Sequence, residues 1–279
     1  MAMRPSRARE AVKHALIWFV LGFAFLPFYM MFVISFKSNS QYNRNPMLPD
    51  PISQWQWQNW ARAWEIVRTY AANSIVVSTS AVALGLTMAL MTSYALARYR
   101  FRGRNIIYYG LIATMFMPGT AATLVTLFML IKDLHLMNNL LTLIICAAVG
   151  GQVVSIFILR QFIEENIPRE LFESADIDGA GHLQQIWHIV LPTSGSVLAT
   201  LAIMQFIGVW NELMLALIVI RDDHRRTIPP GLMMLDGEYV KPYGQLMAGY
   251  AMASIPLIIL FLFTMRLFVK GLTAGAVKG

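Results

Sequence analysis

The stretch that organises this sequence runs from Glu173 to Pro192 and reads Glu-Ser-Ala-Asp-Ile-Asp-Gly-Ala-Gly-His-Leu-Gln-Gln-Ile-Trp-His-Ile-Val-Leu-Pro. Good helix formers lead into it over Arg169–Ile177, directly after a proline that suits a helix start. Gly179 and Gly181 then end that helix and permit a sharp turn. A second helical run extends over His182–Leu191, with one apolar face at Leu183, Ile186, Trp187 and Val190. The stretch therefore predicts two short helices at an angle, which present acidic and apolar surface.

Six mainly apolar stretches flank this segment, four before it and two after it. Each has about the 20 residues that a helix needs to cross a hydrocarbon core of ~30 Å. The chain is 57% hydrophobic and only 13% charged, whereas soluble domains are about 25% charged. The stretches are Ala15–Ile34, Ser74–Ala97, Ile106–Ile131, Met137–Leu159, Val197–Ile220 and Leu246–Met265. They predict an all-α integral membrane protein with six transmembrane helices.

Basic residues near the ends of the stretches predict the orientation of the chain. Clusters precede the first stretch, follow the sixth, and fill the connection after the second at Arg98, Arg100, Arg102 and Arg104. Because an even number of crossings leaves both termini on one side, we expect both to be cytoplasmic, with Arg221, Arg225 and Arg226 outside. The first stretch is too long for a secretion signal and lacks a small-residue cleavage pattern, so we expect a retained anchor.

This topology divides the chain into a cytoplasmic N-terminus (1–14), a transmembrane domain (15–269) and a cytoplasmic tail (270–279). The domain has a cytoplasmic loop at 163–192 and outer loops at 36–73 and 221–245. Prolines and glycines interrupt several stretches, and ordinary kinks or close packing are favoured over gate hinges. They lie at Pro27, Pro118, Pro256 and Gly150-Gly151.

Four tryptophans lie in the first outer loop, at Trp55, Trp57, Trp60 and Trp64. The last three have helical spacing with polar residues between them. An interfacial helix seated by its indoles is favoured over a sugar-stacking platform.

The opening stretch resembles the signature of ABC importer permeases, which is written E-A-A, two variable residues, D-G-A, eight variable residues and I-x-L-P. Ser174 replaces the first alanine, a small-for-small change. The matches with correct spacing are Glu173, Ala175, Asp178, Gly179, Ala180, Ile189, Leu191 and Pro192. The resemblance implies the type I ABC importer permease fold, in a bacterial or archaeal plasma (inner) membrane.

Two further segments resemble the carbohydrate-type branch of this family. Trp210-Asn211-Glu212 stands where that branch commonly has a W-N-E run, and the ending from Gly271 to Gly279 is similar to the tail of the smaller permease subunit of the maltose importer. Tyr94-Ala-Leu-Ala-Arg98 is also typical of such permeases. The resemblance implies import of a sugar or oligosaccharide.

In this family the cytoplasmic loop seats in a cleft of a separate ATPase subunit. Carried over, Glu173 is the expected ion-pair partner for a basic ATPase residue. The coupling residues are expected to be Glu173, Ser174, Ala175, Asp178, Gly179, Ala180, Leu183, Ile186 and Trp187. An amphipathic connector lying on lipid is disfavoured, because the inner leaflet is itself negative. The tail from Thr273 is expected either to be a disordered end or to reach the ATPase interface.

The sequence has no ATP site of its own. A phosphate-cradling loop needs G-x-x-x-x-G-K-[ST], and no glycine precedes Lys37-Ser38. No H-E-x-x-H pattern occurs, so no metal site and no cofactor is expected in the chain. We expect a non-catalytic subunit, with ATP and Mg²⁺ on a partner ATPase. The expected partners are an ATPase dimer, a second homologous permease subunit, an extracytoplasmic solute-binding protein, the sugar and lipid, and no nucleic acid.

Glu212 is the charged side chain within the six stretches and therefore needs a role. An unpaired charge at the bilayer centre costs at least ~2.5–3.5 kcal/mol. Three roles compete: a structural bond to a neighbouring helix, a lining residue of the substrate path, and a proton-coupling acid. The expected substrate-path residues are Gln205, Trp210, Asn211 and Glu212.

The second outer loop carries a charge cluster followed by prolines and glycine. In related permeases this loop faces the binding protein. The expected docking residues are Pro229, Pro230, Gly231 and Asp236, and an ordinary polar connection is the alternative.

Three alternatives to a sugar importer remain open. The same machine could carry glycerol phosphate or a related polyol. An autonomous ion-coupled secondary transporter would use Glu212 instead. A non-transporting membrane scaffold would leave the loop without a role.

Overall fold

The computed structural model describes residues 7–117, 121–233, 235 and 241–276, and within these ranges the only regular secondary structure is helical. The all-α prediction is therefore confirmed. The helices are α1 (Arg7–Ser35), α2 (Asn39–Arg44), α3 (Gln58–Arg98), α4 (Arg104–Met115), α5 (Ala121–Asp133), α6 (Leu140–Val149), α7 (Gln152–Asn166), α8 (Arg169–Ile177), α9 (His182–Gln185), α10 (Leu191–Thr193), α11 (Gly195–Trp210), α12 (Met214–Val219), α13 (Ile228–Met233) and α14 (Tyr243–Ala276). A π-helical turn, Ile186–Val190, joins α9 to α10.

Three described helices are long and apolar enough to cross a membrane, within α1, α3 and α14. Two bent pairs raise the number to 5 if each counts as one span: α6 with α7, bent by 44°, and the run His182–Thr193 with α11, bent by 83°. The predicted third stretch is divided between α4 and α5. Pro118, which lies in that division, is outside the described residues.

Helix α3 is longer than the predicted second stretch. It begins at Gln58 instead of Ser74 and has 41 residues, so at ~1.5 Å per residue it is about 60 Å long. A bilayer core is only ~30 Å thick. Much of the predicted outer loop 36–73 is therefore the first part of this helix.

The chain divides into two compact units, and the first comprises residues up to Arg68 together with Leu232–Ile255. Its aromatic cluster centres on the buried ring of Phe36, which stacks on Trp55 at 4.4 Å and Trp60 at 5.5 Å between centroids. Trp57 meets the same ring edge-on at 4.9 Å. Trp55 and Trp57 precede α3, so of the four tryptophans only Trp60 and Trp64 lie on a helix.

The second unit comprises Thr69–Gly231 and the residues from Pro256 onward. One core gathers Tyr94, Leu159, Phe172, Ile186 and Val190 from α3, α7, α8 and the π turn. A second core gathers Val77, Ile131, Leu143, Ala216 and Val219. The Ser93 hydroxyl donates to the Ile156 carbonyl at 3.1 Å, an interhelical bond of the kind that membrane bundles use.

A helical loop and a polar cavity as candidate functional sites

The first helix of the loop, α8, has the predicted bounds Arg169–Ile177. It ends in a Schellman motif, in which the Ala180 N–H bonds the Ala175 carbonyl at 2.9 Å and the Gly179 N–H bonds the Asp176 carbonyl at 3.1 Å. Gly179 has a φ of 76°, the left-handed conformation that glycine adopts without penalty. The predicted turn is therefore confirmed, and its position depends on Gly179 rather than on Gly181, which has an ordinary φ of −69°.

Most of the predicted coupling residues on α8 and its turn lie on the surface. Glu173, Ser174, Asp178 and Gly179 are exposed, and Ala175 and Ala180 are half-buried. Within the described ranges the Glu173 carboxylate makes no hydrogen bond or ion pair, although it lines a polar cavity of about 800 Å³. Ile177, which the sequence did not single out, is 86% exposed. The end of α8 thus offers an unpaired acid beside bare apolar surface.

The predicted apolar face of the second run is divided in the structure. Ile186 and Val190 are buried in the core, whereas Leu183 is 60% and Trp187 is 61% exposed. Ile186 therefore anchors the loop to its own chain and does not offer surface to a partner. Trp187 lines an apolar groove of about 300 Å³ with Leu86 and Leu198. The π turn adds a residue to this part of the helix, a change that the apolar spacing does not reveal.

A polar network ties the loop to the end of α3. Arg98 pairs with Asp176 at 2.8 Å, and the other Asp176 oxygen accepts from Gln185 Nε2 at 2.5 Å. Gln185 Oε1 accepts from the Tyr94 hydroxyl at 2.7 Å. Gln185 is 1% exposed, so its amide is satisfied entirely within the protein. The sequence offered no signal that separates Gln185 from the exposed Gln184 beside it.

Aromatic contacts reinforce this attachment. The Arg98 guanidinium lies over the Phe172 ring at 5.4 Å, and the Tyr99 and His182 rings meet edge-on at 5.0 Å. Burial raises the pKa of the Tyr99 phenol, which therefore stays protonated at neutral pH. The loop is held to α3 by uncharged contacts as well as by one ion pair.

A second candidate site is a cavity of about 500 Å³ inside the second unit. Of the predicted substrate-path residues, it brings together Gln205 and Glu212. Trp210 is buried and stacks on Phe206 at 5.5 Å, and the Asn211 amide donates to the Ile207 carbonyl at 2.8 Å. Neither Trp210 nor Asn211 lines the cavity, so the W-N-E run contributes its acid alone.

Glu212 occupies a break between two helices. Helix α11 ends at Trp210 and α12 begins at Met214. The Glu212 carboxylate accepts from the Leu215 N–H at 3.0 Å, which satisfies one of the unpaired amides at a helix start. The side chain is otherwise exposed to the cavity, as a lining residue of the substrate path would be. Its one structural hydrogen bond within the described ranges is to α12, the next helix along the chain.

The cavity also contains polar groups that the sequence analysis did not assign. Gln152, Ser155 and Thr227 line it. Gln152 lies directly after the break at Gly150-Gly151, where Gly151 has a φ of 77°. That glycine pair is the sequence signal that could have pointed to Gln152, because non-helical backbone at membrane depth is tolerated only inside protein or beside water.

The predicted docking residues of the second outer loop are mostly internal. Pro229 is half-buried, and Pro230 and Gly231 are buried. A Cβ on Gly231 would lie 2.1 Å from the Tyr70 ring, so this position of α13 is glycine because the ring leaves no room. Asp236 lies outside the described residues. Pro230 and Gly231 thus shape the loop instead of offering a docking surface.

Two side chains of α3 fix the loop in place. The Asn73 amide donates to the His224 carbonyl at 2.8 Å and to the Arg226 carbonyl at 2.9 Å. The Ser74 hydroxyl accepts from the Ile228 N–H at 2.8 Å. Helix α3 is therefore bonded to the second outer loop at Asn73 and Ser74. It is bonded at Tyr94 and Arg98 to the loop 163–192, which contains α8 and is called the α8 loop below.

Comparison with known proteins places these features in a family. The model for the family described as "Binding-protein-dependent transport system inner membrane component" matches residues 81–274. The arabinooligosaccharides transport system permease protein AraQ of Halalkalibacterium halodurans is 34% identical over 270 residues, covering 93% of this chain and 95% of AraQ. The diacetylchitobiose uptake system permease protein DasC of Streptomyces coelicolor is 33% identical over 263 residues, covering 93% of each chain.

A solved structure shares the fold over nearly the whole chain. It is a crystal structure of a bacterial ABC transporter involved in the import of the acidic polysaccharide alginate, with a TM-score of 0.80 and 22% identity over 95% of this chain and 99% of that one. The helices of this chain are therefore arranged as in the matched chain of that transporter.

Proposed function

Because this chain belongs to the family of binding-protein-dependent transport system inner membrane components, we propose that it is a pore-forming permease subunit of a carbohydrate ABC importer. The cargo is a sugar or oligosaccharide, and a separate ATPase that holds ATP and Mg²⁺ supplies the energy. The chain itself is non-catalytic. Relatives that cover more than 90% of the chain are named for transport of arabinooligosaccharides and diacetylchitobiose, and these names support the choice of cargo.

The proposed topology has six membrane crossings and cytoplasmic termini, with domain bounds at residues 15–269. We assign four crossings to α1, α3, α14 and the bent pair α6 with α7. The other two are assigned to α4 followed by α5 and to α11 followed by α12, because His182–Thr193 belongs to the cytoplasmic loop. The basic residues around the start of α1 and the arginines from Arg98 to Arg104, where α3 ends and α4 begins, support the orientation.

The observation that carries the proposal is the construction of the α8 loop. A rigid turn at Gly179 presents the unpaired Glu173 and the bare side chain of Ile177, while Asp176 and Gln185 bind the same loop to α3. An acid-rimmed apolar projection can bind a basic partner surface and move with it as a rigid body. We propose that this surface, 163–192, receives the ATPase and passes its movement to α3.

Three kinds of protein partner complete the machine: a second, homologous permease, a pair of ATPase subunits and an extracytoplasmic solute-binding protein. A structural relative at 15% identity and a TM-score of 0.59 is a bacterial alginate ABC transporter in complex with an alginate pentasaccharide-bound periplasmic protein. A partner of that kind would dock on the outer face of this chain.

Reconstitution tests the proposal directly. Proteoliposomes containing this chain, the second permease and the ATPase, with the loaded binding protein outside, are expected to accumulate labelled sugar only when ATP is supplied to the ATPase side. Omission of this chain should abolish uptake. Uptake by this chain alone, driven by a proton or sodium gradient, would overturn the proposal in favour of an ion-coupled transporter.

A further inference from the structure

Building on the proposed function, we propose that the 500 Å³ cavity is a saccharide subsite that accepts uncharged sugar and rejects acidic sugar and sugar phosphate. Its volume lies in the range of small-molecule sites, roughly 300–1,000 Å³. The broken backbone at Gly150-Gly151 lies on its wall, and in membrane transporters such breaks border binding sites. The cavity therefore has the size and the setting of a cargo site.

Two hydrogen-bond acceptors of residues that line the cavity have no partner among the described residues. Gln152 Oε1 and Gln205 Oε1 are both buried, and neither has a hydrogen-bond partner within the described structure. Gln152 is 7% exposed. An unpaired buried acceptor costs ~1–3 kcal/mol of free energy. A hydrogen bond donated by a ligand to either amide oxygen would remove that cost.

A glycine of α3 lets the two amides converge. A Cβ on Gly85 would lie 2.5 Å from Gln152 Nε2 and 2.5 Å from Gln205 Nε2, which means that both amides lie against this backbone. Gln205 Nε2 also donates to the Ala81 carbonyl at 3.4 Å. With both nitrogens against α3, the two carbonyl oxygens, on residues that line the cavity, are left without a partner in the part of the chain that the structure describes.

The third acceptor is the Glu212 carboxylate, which uses one bond to cap Leu215 and lines the same cavity. Three acceptors among the lining residues fit a ligand that is rich in donors, and sugar hydroxyls are such donors. A site that hydrogen-bonds hydroxyls discriminates against ligands that lack them, since its polar groups are then left unpaired.

The charge of the lining sets the second half of the specificity. No lysine, arginine or histidine is among the described residues that line the cavity. The nearby Arg226 pairs with Asp223 at 2.8 Å and is not part of the lining. Arginine and lysine are the usual side-chain partners of carboxylate and phosphate ligands, and here such ligands would instead meet Glu212, a like charge. The cavity therefore disfavours uronates and glycerol phosphate.

The experiment measures probe binding to the complete transporter, in nanodiscs, without the binding protein, so that this subunit's selection is not masked. Equilibrium dialysis measures the binding of three probes: maltose, digalacturonate and glycerol 3-phosphate. Wild-type transporter is expected to prefer maltose by at least about tenfold over either acidic probe. Glu212→Gln should reduce that preference to about threefold or less, and Glu65→Gln, an exposed acid of α3, should leave it unchanged.

Gln152→Leu separates a ligand-binding amide from a structural one. The substitution should weaken maltose binding about tenfold while the melting temperature of the ligand-free transporter stays the same or rises, because an unpaired buried acceptor is removed. A fall in melting temperature with unchanged maltose binding would overturn the proposal.

The same purified transporter, reconstituted in proteoliposomes for the uptake assay, distinguishes failure of this inference from failure of the proposed function. Equal binding of digalacturonate and maltose, in a transporter that takes up sugar with ATP, would overturn the subsite assignment alone. Binding with the expected preference in a preparation that shows no ATP-driven uptake would leave the subsite and overturn the importer assignment.

Discussion

At the scale of single residues, two acids on α8 have opposite surroundings although only three positions separate them. Asp176 is bonded to Arg98 and Gln185, so its charge is used within the chain. Glu173 has no such bond within the described residues and is exposed. The motif spacing predicted the position of Glu173, but it carried no information on Asp176, whose partners come from α3 and from the second half of the loop.

Reversal of the charge at Glu173 should separate ATP hydrolysis from uptake. Glu173→Lys places a positive charge where we expect a basic ATPase residue, so ATPase association should weaken by about 2 kcal/mol or more, roughly 30-fold. Two quantities are measured. One is the affinity of the purified ATPase for the permease in nanodiscs, and the other is the amount of sugar taken up per ATP hydrolysed in proteoliposomes. Glu65→Lys makes the same charge change on α3 and should alter neither quantity. Normal affinity and uptake for Glu173→Lys would contradict the assignment.

Removal of the Gln185 amide should loosen the loop from α3. Gln185→Leu leaves the Tyr94 hydroxyl and one Asp176 oxygen without their buried partner, which should cost about 1–3 kcal/mol of unfolding free energy. A double-mutant cycle with Tyr94→Phe isolates the shared bond, and we expect a coupling energy of at least about 0.5 kcal/mol. Strictly additive effects would show that the two side chains act independently.

At the scale of elements, the loop combines one helix that local sequence specifies with one that tertiary packing reshapes. Helix α8 and its glycine turn were predicted to the residue, because a proline start and a Schellman end are local signals. The π turn at Ile186–Val190 was not predicted. It places Ile186 and Val190 in the core against α3, α7 and α11. The sequence of the loop alone does not indicate these contacts.

The turn between α8 and α9 should tolerate a side chain at one glycine and not at the other. Gly179→Ala forces an L-residue into a φ of 76° and should destabilise the loop by about 1–2 kcal/mol. Gly181→Ala is the matched control, since its φ is ordinary and the nearest atom to an added Cβ is 3.9 Å away. Hydrogen exchange across residues 169–193 measures the difference. Equal exchange rates in the two variants would contradict the role assigned to the Gly179 conformation.

At the scale of the whole molecule, hydropathy alone indicated a helical membrane protein, and its first, second and sixth stretches lie in helices long and apolar enough to cross a membrane. It missed the extension of α3 before Ser74, because residues 58–73 are too polar to register as a span although they remain good helix formers. It also could not show that Gln152 and Gln205 meet, since 53 positions separate them and only the packing of α7 and α11 against α3 brings them together. Long-range convergence of this kind leaves no local periodic signal.

The six-span topology can be tested by cysteine labelling. In a Cys146→Ser background, which removes the chain's one cysteine, single cysteines replace four exposed residues. Arg100→Cys and Ile177→Cys should react only with a membrane-permeant thiol reagent in intact cells. Gln54→Cys and His224→Cys should also react with an impermeant one. Impermeant labelling of Ile177→Cys would place the loop outside and overturn both the orientation and the ATPase assignment.

The number of residues in helix α3 between Ser74 and Tyr94 is constrained by the bonds at both positions. Its bonds at Ser74 and Tyr94 face two different loops, and a helix turns by about 100° per residue. One residue inserted near Gly85 would rotate Tyr94 away from Gln185 or Ser74 away from Ile228, and would also separate the two amides that meet at Gly85. We therefore expect natural insertions and deletions in the connecting loops, and a strictly kept spacing between Ser74 and Tyr94.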